Sequence, residues 1–289
     1  MLRATSEPTS VARPSHEIPI MVLSTEPGDA AMSNDHGRFI WYELITTDPK
    51  AAQSFYGDVV GWTFEDMPAD GFTYTVASAD GNGVGGLMPI PPEAKAMGAP
   101  PHWGGYICVD DCDAAAEKIA SLGGSVIRPP ADIPEIGRFA VVADPQGAVF
   151  EIMKPLPMDT PRAKVPQGTE GHTSWHELYA GELDPAFAFY AEMFGWKKDE
   201  AMDMGPMGTY QLFSNQDGQI GGMMKKPEQV PRPAWLYYFQ VGDIDAAVER
   251  VTRGGGQVVN GPTEVPGGSW IIQGVDPQRA MFALVGRRG

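Results

Sequence analysis

The chain repeats itself. WYELITTDPKAAQSFYGDVVGW, from Trp41 to Trp62, returns as WHELYAGELDPAFAFYAEMFGW from Trp175 to Trp196. Trp41, Glu43, Leu44, Phe55, Tyr56, Gly61 and Trp62 each recur 134 positions further on, as Trp175, Glu177, Leu178, Phe189, Tyr190, Gly195 and Trp196. So many large residues matching without a gap imply duplication. The period is far longer than that of a solenoid repeat, and each copy is long enough to bury a core. The chain therefore reads as two related domains, 37–155 and 171–286. A leader at 1–36, rich in Pro, Ser, Thr and Glu, reads as disordered, and a proline-rich stretch at 156–170 reads as a linker. The second copy carries its own strands and two helices, so it is expected to fold alone.

Within the first copy, Phe39 to Ile45 alternates as a strand does, with Phe39, Trp41, Glu43 and Ile45 on one face and Ile40, Tyr42 and Leu44 on the other. Asp48 before Pro49 marks a helix start, Ala52, Phe55, Tyr56 and Val59 fall on one helical face, and Gly61 is the stop. Strands follow at Phe72 to Ala77 and Val84 to Met88. The pattern then restarts, with a strand at Trp103 to Val109, a helix capped by Asp113 and carrying Ala116, Ile119 and Leu122, and strands at Ser125 to Arg128, Phe139 to Ala143 and Ala148 to Met153. The second copy answers each element, its first helix capped by Asp184 before Pro185. Asp144-Pro145-Gln146-Gly147 reads as a type I turn.

The net charge of -16 argues against nucleic acid and against a membrane surface as partners. Ile18 to Leu23, the one apolar stretch of the leader, is too short to span a bilayer. Cys108 and Cys112 lack the second ligand pair of a zinc site and read as reduced thiols of a cytoplasmic protein.

The strand followed by a DP-capped helix ending in FY and GW, the VDDCDAA helix start and the DPQGAVFEI turn resemble the vicinal oxygen chelate superfamily. Glyoxalase I, extradiol dioxygenases and bleomycin resistance proteins belong to it. The tandem arrangement is most similar to its glyoxalase-like branch. The resemblance covers nearly everything after Gly37 and implies an α+β fold: two tandem domains, each of paired βαβββ units whose sheets curl around a cleft. It also implies a place for four metal ligands. Carried onto the first copy, these are Trp41, the Gly83 to Gly86 stretch, the neighbourhood of Gly104, and Glu151; in the second copy they are Trp175, Gly221-Gly222, Leu236 and Ala283. Only Glu151 is a ligand type, so no metal is expected at the family positions.

A displaced site remains open. Glu43 shares its strand face with Trp41, and period two places His102 on the face of Gly104, so Glu43, His102 and Glu151 are the candidates for catalysis, or for holding Zn, Mn, Fe or Ni. The bland alternatives are a bonded structural carboxylate at Glu43 and an ordinary surface histidine at His102. His176, which answers Tyr42, reads as a core histidine. Trp41, Trp103, Tyr74 and Trp175, with Glu177, are the candidates for binding a planar or apolar ligand. Three classes stay open: a glyoxalase-like lyase, isomerase or dioxygenase with its chemistry in the first copy; a metal-free binding or resistance protein of the bleomycin-sequestering kind; and a partner-binding role. The expected partner is a small organic molecule, with a homodimer also open.

Overall fold

The computed structural model describes residues 35–69, 71–157 and 165–289; the leader up to residue 34 and the middle of the linker, 158–164, lie outside them. The first copy runs β1 (Phe39–Thr46), α1 (Pro49–Val60), β2 (Thr63–Ala69), β3 (Phe72–Ala79), β4 (Asn82–Pro89), the short α2 (Pro92–Ala96), β5 (His102–Cys108), α3 (Cys112–Ser121), β6 (Ser125–Ile133), β7 (Gly137–Ala143) and β8 (Val149–Pro155). The second runs β9 (Thr173–Ala180), α4 (Leu183–Phe194), β10 (Lys197–Asp203), β11 (Thr209–Asn215), β12 (Gly218–Lys225), β13 (Ala234–Asp243), α5 (Ile244–Arg253), β14 (Gln257–Glu264), β15 (Trp270–Val275) and β16 (Met281–Arg287).

Each copy builds one eight-stranded mixed sheet, in the orders β2-β3-β4-β1-β5-β8-β7-β6 and β10-β11-β12-β9-β13-β16-β15-β14. The two βαβββ halves of a sheet meet where β1 pairs antiparallel with β5, and β9 with β13. These are the α+β tandem domains expected.

Helix α1 follows its sequence signals. Asp48 accepts from the Ala51 amide, Ala52, Phe55, Tyr56 and Val59 are buried, and Gly61 ends the helix in the left-handed region. Three expectations need correcting. Asp111, not Asp113, caps α3, accepting from the Ala114 amide, and Asp113 pairs with Arg138. Helix α4 starts ahead of Asp184, which pairs with Lys198, and no side chain caps it. Leu122 is exposed at the end of α3. The edge strands β2 and β10 carry no clear alternation, because both are polar and mostly solvent-facing; β2 buries only Met67.

The two copies do not keep separate cores. Leu44, Phe55, Tyr56, Trp62 and Phe150 of the first belong to one buried cluster with Tyr190, Trp196, Trp235, Phe239 and Phe282 of the second. Reciprocal hydrogen bonds lace it. Tyr56 donates to Asp276 at 3.2 Å, and Tyr190 donates to Asp144 at 3.1 Å. Each tyrosine hydroxyl also accepts an indole N–H of its own copy, from Trp103 at 2.9 Å and from Trp235 at 3.0 Å. Trp62 donates to the Gly171 carbonyl at 2.7 Å and Trp196 to the Gly37 carbonyl at 2.8 Å. Gly37, at φ 77°, has to be glycine: a Cβ there would stand 2.6 Å from the Phe194 carbonyl oxygen of the other copy. This shared core argues against residues 171–286 folding alone, because part of their apolar surface is covered by the first copy.

A buried hydroxyl bonded to a carboxylate contributes roughly 1.5–3 kcal/mol. Tyr56→Phe and Tyr190→Phe should each destabilise the whole chain by about that much, read from denaturant unfolding, whereas changes within about 0.5 kcal/mol, as at ordinary surface sites, would show that the contacts across the copies carry little.

Candidate functional site

Strand alternation divides β1 from Trp41 onward. Before it, a register shift between Phe39 and Trp41 packs Phe39 on the shared core and puts Ile40 in the cleft-side cluster, the reverse of the faces expected. Leu44 enters the shared core, while Trp41 and Glu43 face the cleft side of the first sheet. There Trp41 Nε1 donates to the Tyr74 hydroxyl at 2.9 Å, Tyr74 donates to Glu43 Oε1 at 2.9 Å, and Tyr106 donates to Glu43 Oε2 at 2.9 Å. Glu43 stands in register with Gly86 on one side and Gly104 on the other. It is Glu43, rather than Trp41, that occupies the first-strand place in that row.

Both glycines in the row are roofed. A Cβ on Gly86 would lie 1.9 Å from the Tyr74 hydroxyl, and one on Gly104 would lie 2.6 Å from Glu151 Oε2. A longer residue at either place would need the volume that Tyr74 and Glu151 already fill. Around them Ile40, Trp41, Met67, Val76, Tyr106, Cys108, Phe139 and Met153 make a separate apolar cluster, rimmed by half-buried Tyr74, Ile133, Ile136 and Val141.

The second copy repeats the frame: Trp175 Nε1 donates to Tyr210 at 2.8 Å, Tyr210 to Glu177 at 3.0 Å, and Tyr238 to Glu177 at 3.1 Å. A chain of Trp, Tyr and Glu that is identical in both copies satisfies a buried carboxylate, which is the structural alternative for Glu43 and Glu177.

The copies differ one strand further on. Register aligns Glu151 with Tyr106 and Val141, where the second copy has Ala283 with Tyr238 and Gln273. Gln273 donates to Glu177 at 3.1 Å and to the Tyr179 hydroxyl at 2.7 Å, which seals that cleft. In the first copy Val141 has no donor to give. Glu151 Oε2 is buried without a hydrogen-bond partner, on a residue 3% exposed. Burial and the nearby charge of Glu43 push the Glu151 carboxyl up to about 8, opposed by the Gly105 amide. Burial also raises Glu43, against the pull of Tyr74, Tyr106 and the charge of Arg128. Burial thus favours the protonated form of both carboxyls, and the charge of Glu43 adds to that at Glu151.

Other candidates fall away from this pair. Trp103 is on the opposite face of β5 and points into the shared core, bonded to Tyr56; its parity against Gly104 was the available signal. Trp175 keeps the cleft side and stays half-buried. His102 is the first residue of β5, not part of the loop, with Nδ1 bonded to the Pro100 carbonyl at 2.8 Å. Burial holds its imidazole below the ordinary value, with the charge of Arg232 acting the same way. The displaced His-Glu-Glu set is thus not assembled: no group of three or more His, Cys, Asp or Glu suited to a metal occurs among the described residues.

Two carboxyl groups remain in the row where four ligands are needed, and one of them is taken by tyrosine hydroxyls. This donor set does not fit a resident divalent ion. His176 accepts from the Tyr42 hydroxyl at 2.6 Å, donates to the Ile220 carbonyl at 2.6 Å and stacks on Phe39, a core histidine as expected, with burial depressing it to about 4. Tyr106, Arg128 and Gln273 escaped the sequence reading, although Tyr106 follows Gly104 by two and shares its face. A surface depression of about 580 Å³ lies beside Gln146, Glu182 and Lys225 and contains none of these carboxyls.

Comparison with known proteins agrees with this architecture. The Glyoxalase/Bleomycin resistance protein/Dioxygenase superfamily model matches twice, at residues 38–152 and 171–284. The chain belongs to that superfamily. It is 33% identical over 247 residues to "Putative glyoxylase CFP32" of Mycobacterium tuberculosis, covering 85% of this chain and 93% of that protein. It is 31% identical over 260 residues to "Anthracycline biosynthesis protein DauV" of a Streptomyces species, covering 85% and 91%. Among solved structures, the Mn(II)-bound glyoxalase of Novosphingobium aromaticivorans aligns with TM-score 0.59 at 16% identity, over 90% of this chain and 84% of that one. The homoprotocatechuate 2,3-dioxygenase of Arthrobacter globiformis aligns with TM-score 0.61 at 15% identity, over 90% and 83%. At those identities the structural likeness shows the fold. None of the described helices is long and apolar enough to cross a membrane.

The buried acid sets a pH dependence. Folded Glu151 keeps its proton up to about pH 8, whereas unfolded it releases it near 4.5. The native state thus binds more protons between those values, and stability falls as pH rises through that window. Glu151→Gln keeps the neutral shape and removes this term, so the variant should gain stability relative to the parent between pH 5 and pH 8 in thermal unfolding. A constant difference across that range would mean that Glu151 is ionised in the fold.

Proposed function

We propose that this protein acts on a small, planar organic molecule in the cleft of the first copy, by acid–base chemistry of its own side chains and without a resident metal. The observation that carries the reading is the lone Glu151 oxygen. It is a buried acid with an unused position, beside a carboxylate whose charge holds the proton on it. Two buried carboxyl groups side by side, both raised by burial and one raised further by the charge of the other, are an arrangement suited to proton transfer. Glu151 would donate its proton to an oxygen of the ligand. The carboxylate so formed lies close to Glu43 and out of water, so it takes a proton back readily. Trp41, Tyr74, Tyr106 and Phe139 are the aromatic rings packed around it, against which a flat ligand would stack. The relative named for anthracycline biosynthesis supports the same class, since anthracyclines are fused planar ring systems. In this reading the second copy, with Ala283 and a sealed Glu177, is a structural partner.

A second reading is a binding protein without turnover. It is favoured by the saturation of Glu43, which leaves a single free carboxyl and no second group to relay a proton. Turnover separates the two.

The test begins with elemental analysis of untagged protein never exposed to chelator, expected to show well under one metal per chain. Screening aromatic metabolites and α-oxoaldehyde adducts then supplies a ligand. Glu151→Gln should abolish turnover, or weaken binding at least about tenfold, and Glu177→Gln should do neither while the fold is intact. Stoichiometric metal, or equal effects of the two substitutions, would overturn the reading.

A further inference from the structure

Arg128 stands at the outer end of the cross-strand row that runs through Tyr106, Glu151 and Val141. It lies on the exposed edge strand β6, with its guanidinium carbon 4.8 Å from the centre of the Phe139 ring. Phe139 in turn packs on Tyr106, centroids 6.1 Å apart, and Tyr106 donates to Glu43. Arg128 has no hydrogen-bonded or ion-pair partner among the described residues, although its charge acts on Glu43. Three other arginines are held by carboxylates, whereas the exposed Arg232, Arg279 and Arg287 lie off this row. Arg138 is bound by Asp113 and Asp132, Arg253 by Asp58, and Arg288, which also stacks on a ring, Trp270 at 4.3 Å, by Asp245.

In the second copy the position in register with Arg128 is Asn260, and its amide is spent on Gln273. The first cleft thus combines an aromatic wall, a guanidinium at its rim whose five donors have no partner among the described residues, and a buried carboxyl oxygen inside with no partner among them. A guanidinium laid flat on an aromatic ring keeps its edge directed outwards for a planar oxyanion.

Building on the reading of the first cleft as the ligand site, we infer that its ligand is an aromatic molecule bearing an anionic oxygen group, held at that group by Arg128 while its ring system lies among Phe139, Tyr106 and Trp41. Arg128 is the residue that selects the anion. The overall negative charge of the chain repels anions at a distance, so the preference is local and requires direct contact with the guanidinium.

The test uses two dyes of the same ring skeleton: anilinonaphthalene sulfonate, which carries an anionic group, and phenylnaphthylamine, which does not. Both are titrated into the full chain, following dye emission and tryptophan quenching. The sulfonate should bind more tightly. Arg128→Gln should weaken it at least about tenfold, equivalent to 1.4 kcal/mol, and leave the neutral dye unchanged. Arg128→Lys should recover part of the loss, and Arg288→Gln should match the parent. If both dyes bind and Trp41→Phe alters the quenching, but Arg128→Gln changes neither affinity, the role of Arg128 is wrong and the cleft reading stands. If neither dye binds, or if Trp41→Phe leaves the quenching untouched, both are wrong.

Discussion

Each copy completes itself by reaching into the other. The tyrosine of the FY pair in one copy donates to the aspartate of the DPQ turn in the other, and the tryptophan of each GW pair donates to the glycine at the start of the other. These groups are buried, so each bond satisfies a polar atom that would otherwise be desolvated at a cost of about 1–3 kcal/mol. The aspartates do further work inside their own copies. Asp144 accepts from the Gln146 and Ala148 amides, and Asp276 accepts from the Gln278 and Ala280 amides. The turn and the clasp are therefore one network, and the most faithfully repeated residues of the sequence belong to it.

On this symmetric frame the cleft chemistry is unsymmetric. Trp41, Tyr74 and Glu43 have counterparts in Trp175, Tyr210 and Glu177, bonded alike. Across the neighbouring strands the polar group changes sides: Glu151 faces Val141 in the first copy, and Ala283 faces Gln273 in the second. An amide in that space is a donor and quiets the carboxylate; an acid in that space leaves one oxygen, Glu151 Oε2, without a partner. Duplication supplied a scaffold that folds with one cleft sealed, and so the other can hold an unsatisfied group at a tolerable cost to stability.

Much of this was legible in the sequence because it is local. Period two placed Glu43 and Trp41 on one face, and helical spacing picked out the buried face of α1 residue by residue. The DPQG turn carried its own signal. Trp103 was misplaced although the same parity, applied from Gly104, sends it to the core. The helix starts at Asp111 and Glu182 were missed because several acidic residues crowd each start and only backbone geometry chooses among them. The shared core left no signal at all: repeated aromatic residues look the same whether each copy buries its own or lends them to its neighbour. Nor could spacing show that Val141 withholds a donor from Glu151, since that depends on pairing across β7 and β8.

The account stands or falls on the interlocking of the copies, and separate expression of the two halves tests it. Residues 171–286 made alone should lack cooperative thermal unfolding, because Phe189, Tyr190 and Trp196 lose the Phe150, Asp144 and Gly37 surfaces that cover them. Mixed with residues 35–170, they should regain a single cooperative transition. A fragment 171–286 that unfolds cooperatively by itself, at a temperature near that of the whole chain, would contradict the account.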